Sequence, residues 1–343
     1  MSAPPNIKEF WDFVNERHAI YIRKYLREGG DIGEMYGFND KVDYEQCDPH
    51  HFANNRNISA PFTHDEVMKT YRFCNVFREL DRVTVWIRKN IQEPFADHEH
   101  LWFMLAIART INWPGTLQHL IDTPGAWPSH SDFSLDNLGA ALDAYKASGE
   151  KVYTGAYMIR AESNPKAEWY SWTKQQYVAK IVLGRLWEDR ERFTDMDKPM
   201  PVHRGPGDVV PEFTELKDVW NWLQDKRYIG WGPFMAGQVV TDLRHSRYLN
   251  NAADIEVWTA LGPGSRRGLN RLYGRDVNTP LNQQNGLREL IELSHSQNTY
   301  KADWVPHIEL SDVQNCCCEF DKIMRVRSGD GRPRAKYVAG RGY

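Results

Sequence analysis

The sequence predicts a mainly α-helical fold. Three observations carry that reading. Apolar residues recur at three- and four-residue spacing through much of the chain, helix-start signals precede several of those stretches, and no segment shows sustained two-residue alternation. The chain has 343 residues, 41% of them hydrophobic, enough to fill a full core. No internal repeat is visible. One continuous helical domain over residues 1–328 is therefore expected, with room for two lobes around a cleft. A basic tail over 329–343 follows it.

The elements are expected in this order. Phe10, Trp11, Phe13 and Val14 open an amphipathic helix running toward Tyr25. Thr63 and Glu66 have capping-box spacing after Pro61, and predict a helix to about Ile91 with Val67, Tyr71, Cys74, Phe77 and Leu80 on one side. Residues 101–111 are an apolar helix, and 136–146 and 174–190 follow. Residues 152–159 are the one stretch where a short strand is conceivable. Residues 192–214, rich in Pro, Gly and charge, predict a long loop. A short helix spans 215–225. Ser311 with Gln314 forms a second capping box, opening a helix to about Met324. The tail is rich in Gly and Arg and poor in apolar anchors, so it is expected to order on a partner.

Composition narrows the function. A net charge of −3 excludes a protein that coats nucleic acid through overall basicity. Any DNA contact must come from a local face, and two basic stretches qualify, 244–275 and 322–341. Five cysteines, three of them adjacent at 316–318, suit neither a disulfide framework nor zinc spacing, so reduced thiols in a cytoplasmic protein are expected. The first residues lack a signal-peptide pattern, and no apolar run approaches the ~20 residues of a membrane span. A P-loop and a zinc-deaminase signature are both absent.

Four motifs stand out. In residues 228–236, YIGWGPFMA, a helix ends at Gly230, the chain turns, and Pro233 starts the next helix at its favoured first position. The glycines leave backbone N–H groups open to a phosphate. This resembles the helix-hairpin-helix of DNA glycosylases, in which an Asp follows the second helix; Asp242 and Asp254 are the candidates. The alternative is an ordinary helix corner. Residues 262–269, GPGSRRGL, form a plausible phosphate cradle before a helix, or a solvated turn. Asn75, Arg78 and Arg82, with Asp81 beside them, fall near one face of a helix, as a site or as a salt-bridged network. Residues 312–322 carry Glu319 and Lys322 at pairing distance. Arg325, Arg327 and the Gly331-Arg332-Pro333 run follow, and this reads equally as a capped surface helix.

Together these motifs resemble a bacteriophage family of thymine-hypermodification proteins, the alpha-glutamyl/putrescinyl thymine pyrophosphorylases and amino acid:DNA transferases. It is related to the helical domain of 5-hydroxymethyluracil DNA kinases. The resemblance runs from about Val67 to Tyr337. It implies a helical, glycosylase-like fold and a transferase in the host cytoplasm that acts after such a kinase. Its substrate is double-stranded DNA carrying a pyrophosphorylated thymine analogue, and an amino acid or polyamine replaces the pyrophosphate.

On that reading the target base is flipped out, and Trp231 or Phe234 fills its place. Arg78, Arg82, Arg266 and Arg267 meet the pyrophosphate with Gly264 and Ser265 as hydrogen-bond donors and Asn75 nearby. Arg160 meets the carboxylate of an amino-acid substrate. Asp242 is the first candidate for the general base and Asp81 the second. Gly230, Gly232, Arg244, Lys322, Arg325 and Arg332 complete the DNA face. No cofactor is required, and a divalent metal on the pyrophosphate is compatible but demanded by no motif. A thiolate from 316–318 is disfavoured, because a thiol on an apolar helix belongs to the core. A monofunctional glycosylase and a non-catalytic DNA-binding module are the alternatives.

Overall fold

A computed structural model describes residues 4–30, 60–155, 159, 164–191, 214–333 and 335–337. Among these the chain is mainly helical, and the sole β pairing is an isolated antiparallel bridge between Tyr71 and Lys336. No strand forms at 152–155, where the Thr116 hydroxyl donates to the carbonyls of Lys151 and Val152. The chain divides into two compact units, Met1–Thr84 with Glu256–Tyr343, and Val85–Ile255. The first unit draws on both ends of the chain.

The first unit is built around two helices distant in sequence. The helix Ile7–Arg27 buries Phe10, Trp11, Phe13 and Val14, as its spacing predicts. Leu310–Arg327 buries Phe320, whose ring meets that of Phe10 edge-on at 5.4 Å. Burying one such side chain stabilises by about 1.5–3 kcal/mol. Pro263–Leu272 packs directly on Leu310–Arg327, and glycine makes the approach possible. A Cβ on Gly268 would lie 2.0 Å from the Cys317 carbonyl oxygen, and one on Gly264 would lie 2.3 Å from the Cys318 Sγ.

The long helix expected from Thr63 does not form. Asp65 is the N-cap, accepting from the Val67 and Met68 amides, and the helix ends at Thr70. Residues 71–77 then run without helix because other elements claim their backbone. Arg17 donates to the carbonyls of Phe73 and Cys74, and Glu319 accepts from the Cys74 amide. A 3-10 turn, Arg78–Leu80, and a short helix, Arg82–Ile87, follow. Nor does Ser311 cap: the last helix starts two residues earlier, with Glu309 at the N-cap position. In the tail, Ala335 and Tyr337 pair with the chain itself, the Arg72 amide donating to the Ala335 carbonyl and the Tyr337 amide to that of Thr70.

The second unit is centred on Leu101–Ile111, buried along its whole length. Pro114–Asp122 and Leu135–Ala147 follow it, the latter capped by Ser134. The predicted helix 174–190 is present as Lys174–Tyr177, a π-type turn over Val178–Val182, and Gly184–Glu188. Leu216–Leu223 and Pro233–Arg244 complete the unit. The expected loop at 192–214 lies almost wholly outside the described residues. No described helix is long and apolar enough to cross a membrane.

Candidate functional site

Three of the four motifs converge in the first unit, on the helix Leu310–Arg327. Gln314 donates to the Ser265 hydroxyl at 2.9 Å, and Arg267 donates to Asp321 at 3.0 Å, which ties the 262–269 motif to this helix. The Arg78 amide donates to Asp312 at 3.1 Å, and Asn315 donates to the Asn75 carbonyl, which ties in the 75–82 motif.

The Pro263–Leu272 helix opens at Gly262, with no side-chain cap. Pro263 has no N–H and the Arg266 amide donates to the Gly262 carbonyl. The Gly264 and Ser265 amides therefore have no acceptor among the described residues, which is the orphan-donor geometry that suits an anion. The Ser265 side chain is not part of this. It is fully buried, donating to the Gly262 carbonyl, so the expected hydroxyl donor is replaced by a backbone one. The side chains of Arg266, Arg82, Arg325 and Arg332 make no hydrogen bond or ion pair among the described residues, and the Nε atoms of Arg266 and Arg325 are buried. Arg267 instead shares Asp321 with Arg271.

Asp81 directly follows the 3-10 turn Arg78–Leu80. Its Oδ1 accepts from the Asn75 amide at 3.0 Å, while the Asn75 side chain donates to the Leu80 carbonyl and accepts from Arg17. Burial holds the Asp81 carboxyl above its ordinary range, against the pull of that amide and of Arg78 and Arg17. Lys322 donates to Glu319 at 2.5 Å, as the spacing predicts, with its ammonium 5.4 Å from the Phe73 ring centroid. Cys318 lies beside this group. Burial pushes its thiol up to about 11, with Lys322 and Arg267 acting in the opposite direction. Burial raises Cys316 and Cys317 as well, so none of the three supplies a thiolate at neutral pH.

The fourth motif lies in the second unit. Gly230 adopts φ +89°, and its amide-bearing corner is solvent-exposed together with Gly232. Phe234 is 48% exposed and Ile229 37%. Trp231 is not available to replace a base: it is buried and donates from Nε1 to the Val182 carbonyl at 2.8 Å. Beside the corner is a pocket of about 400 Å³ lined by Arg185, Glu188, Asp189, Lys226, Arg227 and Ile229.

Two predicted carboxylates are structural. Asp242 is 2% exposed and both its oxygens are taken by Arg109, one through Nε and the other through an N–H donor at 2.6 Å. A carboxylate so paired and buried is not presented to an incoming amine. It also belongs to a different unit from Arg78, Arg82 and Arg266. Asp254 accepts from the Leu216 and Lys217 amides and so caps a helix. Arg244 is buried, donating to the Asn250 carbonyl, and does not lie on a DNA face. Arg160 lies outside the described residues.

Sequence reasoning missed Arg109, although a lone charge in an otherwise apolar helix signals a buried partner. It also missed Arg17, for which no local signal exists. Among the described residues no cluster of three or more His, Cys, Asp or Glu side chains is arranged to hold a metal.

Comparison with known proteins adds the following. The chain is 29% identical over 234 residues to a 5-hmdU DNA kinase of Bacillus phage SP10, covering 63% of this chain and 32% of that protein. It is 35% identical over 100 residues to the Nod factor export ATP-binding protein I of a Bradyrhizobium strain, covering 27% of this chain and 32% of that protein. It thus spans about a third of the length of these curated relatives. No solved structure matches. The family described as the helical domain of 5-hmdU DNA kinase matches residues 50–332, and the chain belongs to that family.

Proposed function

We propose that this protein modifies thymine-derived bases in phage DNA, and that it is the transferase that replaces pyrophosphate on 5-pyrophosphomethyl-uracil with an amino acid or polyamine. The observation that carries this is the convergence in one unit of open helix-start amides at Gly264 and Ser265, the uncompensated Arg266, and the Arg78–Asp81 turn, all organised by a single helix. Membership in a family named for a kinase of 5-hmdU DNA supports the substrate, and no P-loop occurs in these residues to support the kinase reaction itself.

In the proposed step the amine nitrogen bonds to the exocyclic CH₂ as the C–O bond to pyrophosphate breaks. The electron pair leaves with the pyrophosphate oxygen. The proton released from the new C–N ammonium passes to Asp81, whose raised proton affinity suits that task better than the fully paired Asp242. Arg78, Arg82 and Arg266, with the Gly264 and Ser265 amides, meet the leaving charge. Base extrusion exposes the CH₂ to these groups of the first unit, and the exposed corner at Gly230 and Gly232, with Phe234, is a separate proposed DNA contact of the second unit.

The test is nucleoside mass spectrometry of hydroxymethyluracil DNA after treatment with a partner kinase, this protein and a mixture of amines. Amine-bearing nucleosides, with pyrophosphate released only when both co-substrates are present, support the transferase. Abasic sites would indicate a glycosylase. Binding without turnover would leave a module that presents DNA to a kinase, a reading favoured by the family's description as one domain of a larger enzyme.

A further inference from the structure

The proposed base has a neighbour that the motif reading assigned only to a surface ion pair. The Cys74 amide donates to Glu319 at 3.0 Å and the next amide, Asn75, donates to Asp81 at 3.0 Å. Two carboxylates are thus anchored to successive amides of one loop. They are not equivalent. Glu319 also accepts from the Lys322 ammonium through the same oxygen that takes the Cys74 amide, and it is 5% exposed. Asp81 is faced by Arg78 from its own turn, by Arg17 from the first helix and by Glu319 from the last.

We infer that Glu319 is the positioning residue of this site, fixing Lys322 and the Cys74 amide so that two carboxylates occupy consecutive backbone amides, one neutralised by an ammonium and the other left to take up a proton. This rests on the transferase reading for its role in catalysis, but the pairing itself stands on geometry alone. Two carboxylates anchored to successive amides of one loop repel each other when both are charged, and the one paired with an ammonium is ionised first. Glu319 therefore adds to burial in raising the Asp81 carboxyl, against the Asn75 amide, Arg78 and Arg17. The arrangement also places Lys322 inside the cluster with Cys318 and Arg267, where it can meet a departing anion, in addition to any role on the outer DNA face.

The test is NMR titration of ¹³C-carboxyl-labelled Asp in the full chain, with Asp81→Asn identifying the Asp81 signal. Glu319→Gln keeps an oxygen to accept from the Cys74 amide but removes the charge. It is expected to lower the Asp81 midpoint by about half a pH unit or more. Lys322→Arg keeps the ammonium's charge and is expected to leave the midpoint in place, which separates an electrostatic effect from a distorted loop. In the amine-transfer assay the acid limb of kcat/KM moves down with the Glu319→Gln midpoint. An Asp81 midpoint unmoved by Glu319→Gln in a folded protein overturns the inference. A shifted midpoint in a protein that transfers no amine upholds the pairing and overturns the transferase reading.

Discussion

At the residue scale, the buried charges divide into those that hold the fold and those with something left to do. Arg109 and Asp242 belong to the first group, being 2% exposed each and paired with one another through both carboxylate oxygens. Removing one partner leaves the other buried and uncompensated, a loss of about 3–5 kcal/mol. Asp242→Asn is therefore expected to lower the denaturant midpoint sharply, while any surviving folded fraction retains the wild-type pH–rate profile; a shifted profile would restore Asp242 as the base.

Two other buried groups make opposite contributions to pH dependence. His18, between Trp304 and Phe77, is lowered to about 3 by burial, with Arg17 and Lys301 adding to it. A histidine depressed in the folded state gives stability that is complete above its unfolded value near 6.5 and is lost as pH falls toward 3. Asp312 is raised well above the carboxylate range by burial and by Glu79 and Glu309, so its contribution is complete at low pH and is lost as pH rises above about 4. Over pH 5–6.5 the two oppose each other. His18→Gln should make the slope of stability against pH more negative by about 1.4 kcal/mol per pH unit, and Asp312→Asn should make it more positive. Urea unfolding at three pH values measures both, and slopes moving in the same direction would contradict the assignment.

At the scale of elements, the close pair Pro263–Leu272 and Leu310–Arg327 sets the site, because the same contact seats Gly264 and Ser265 beside Gln314 and Cys318. Gly268→Ala puts a methyl 2.0 Å from a backbone oxygen that cannot rotate away, so the helices must separate. A loss of more than about 3 kcal/mol is expected, at the upper end for overpacking. Gly264→Ala meets a side-chain sulfur instead, and Cys318→Ala should recover part of its cost; a thermal double-mutant cycle measures that coupling.

This contact also explains what was legible in advance. Helices with continuous apolar spacing, 101–111 above all, were readable because local pattern and burial agree there. The Thr63 helix was not, because its continuation is claimed by Arg17 and Glu319, residues 57 and 245 positions distant. The same non-local pairing hid the site. Arg78, Arg266 and Lys322 were visible as candidates, but nothing in their spacing shows that Asp242 is engaged by Arg109 across 133 residues.

At the scale of the whole molecule, the proposed function requires a net charge of −3 to coexist with a surface that binds a polyanion. The chain manages this by leaving particular cations uncompensated. In the first unit Arg275 is clamped by both oxygens of Glu289, and Arg267 and Arg271 share Asp321, so these cations carry little net field. Arg266, Arg325 and Arg332 have no acidic partner among the described residues, and Arg325 packs beneath Gly331, next to Arg332. Each cation that neutralises a phosphate steepens the fall of log K with log salt by about 0.9. Replacing Arg266, Arg325 and Arg332 together by Ala is therefore expected to flatten that slope by about 2.7 for a modified duplex. Arg275→Ala should leave it nearly unchanged. Fluorescence anisotropy across a salt series makes the comparison. If the Arg275 variant flattens the slope as much as the triple variant, overall charge rather than uncompensated position governs binding, and the first unit loses its claim to a specific DNA face.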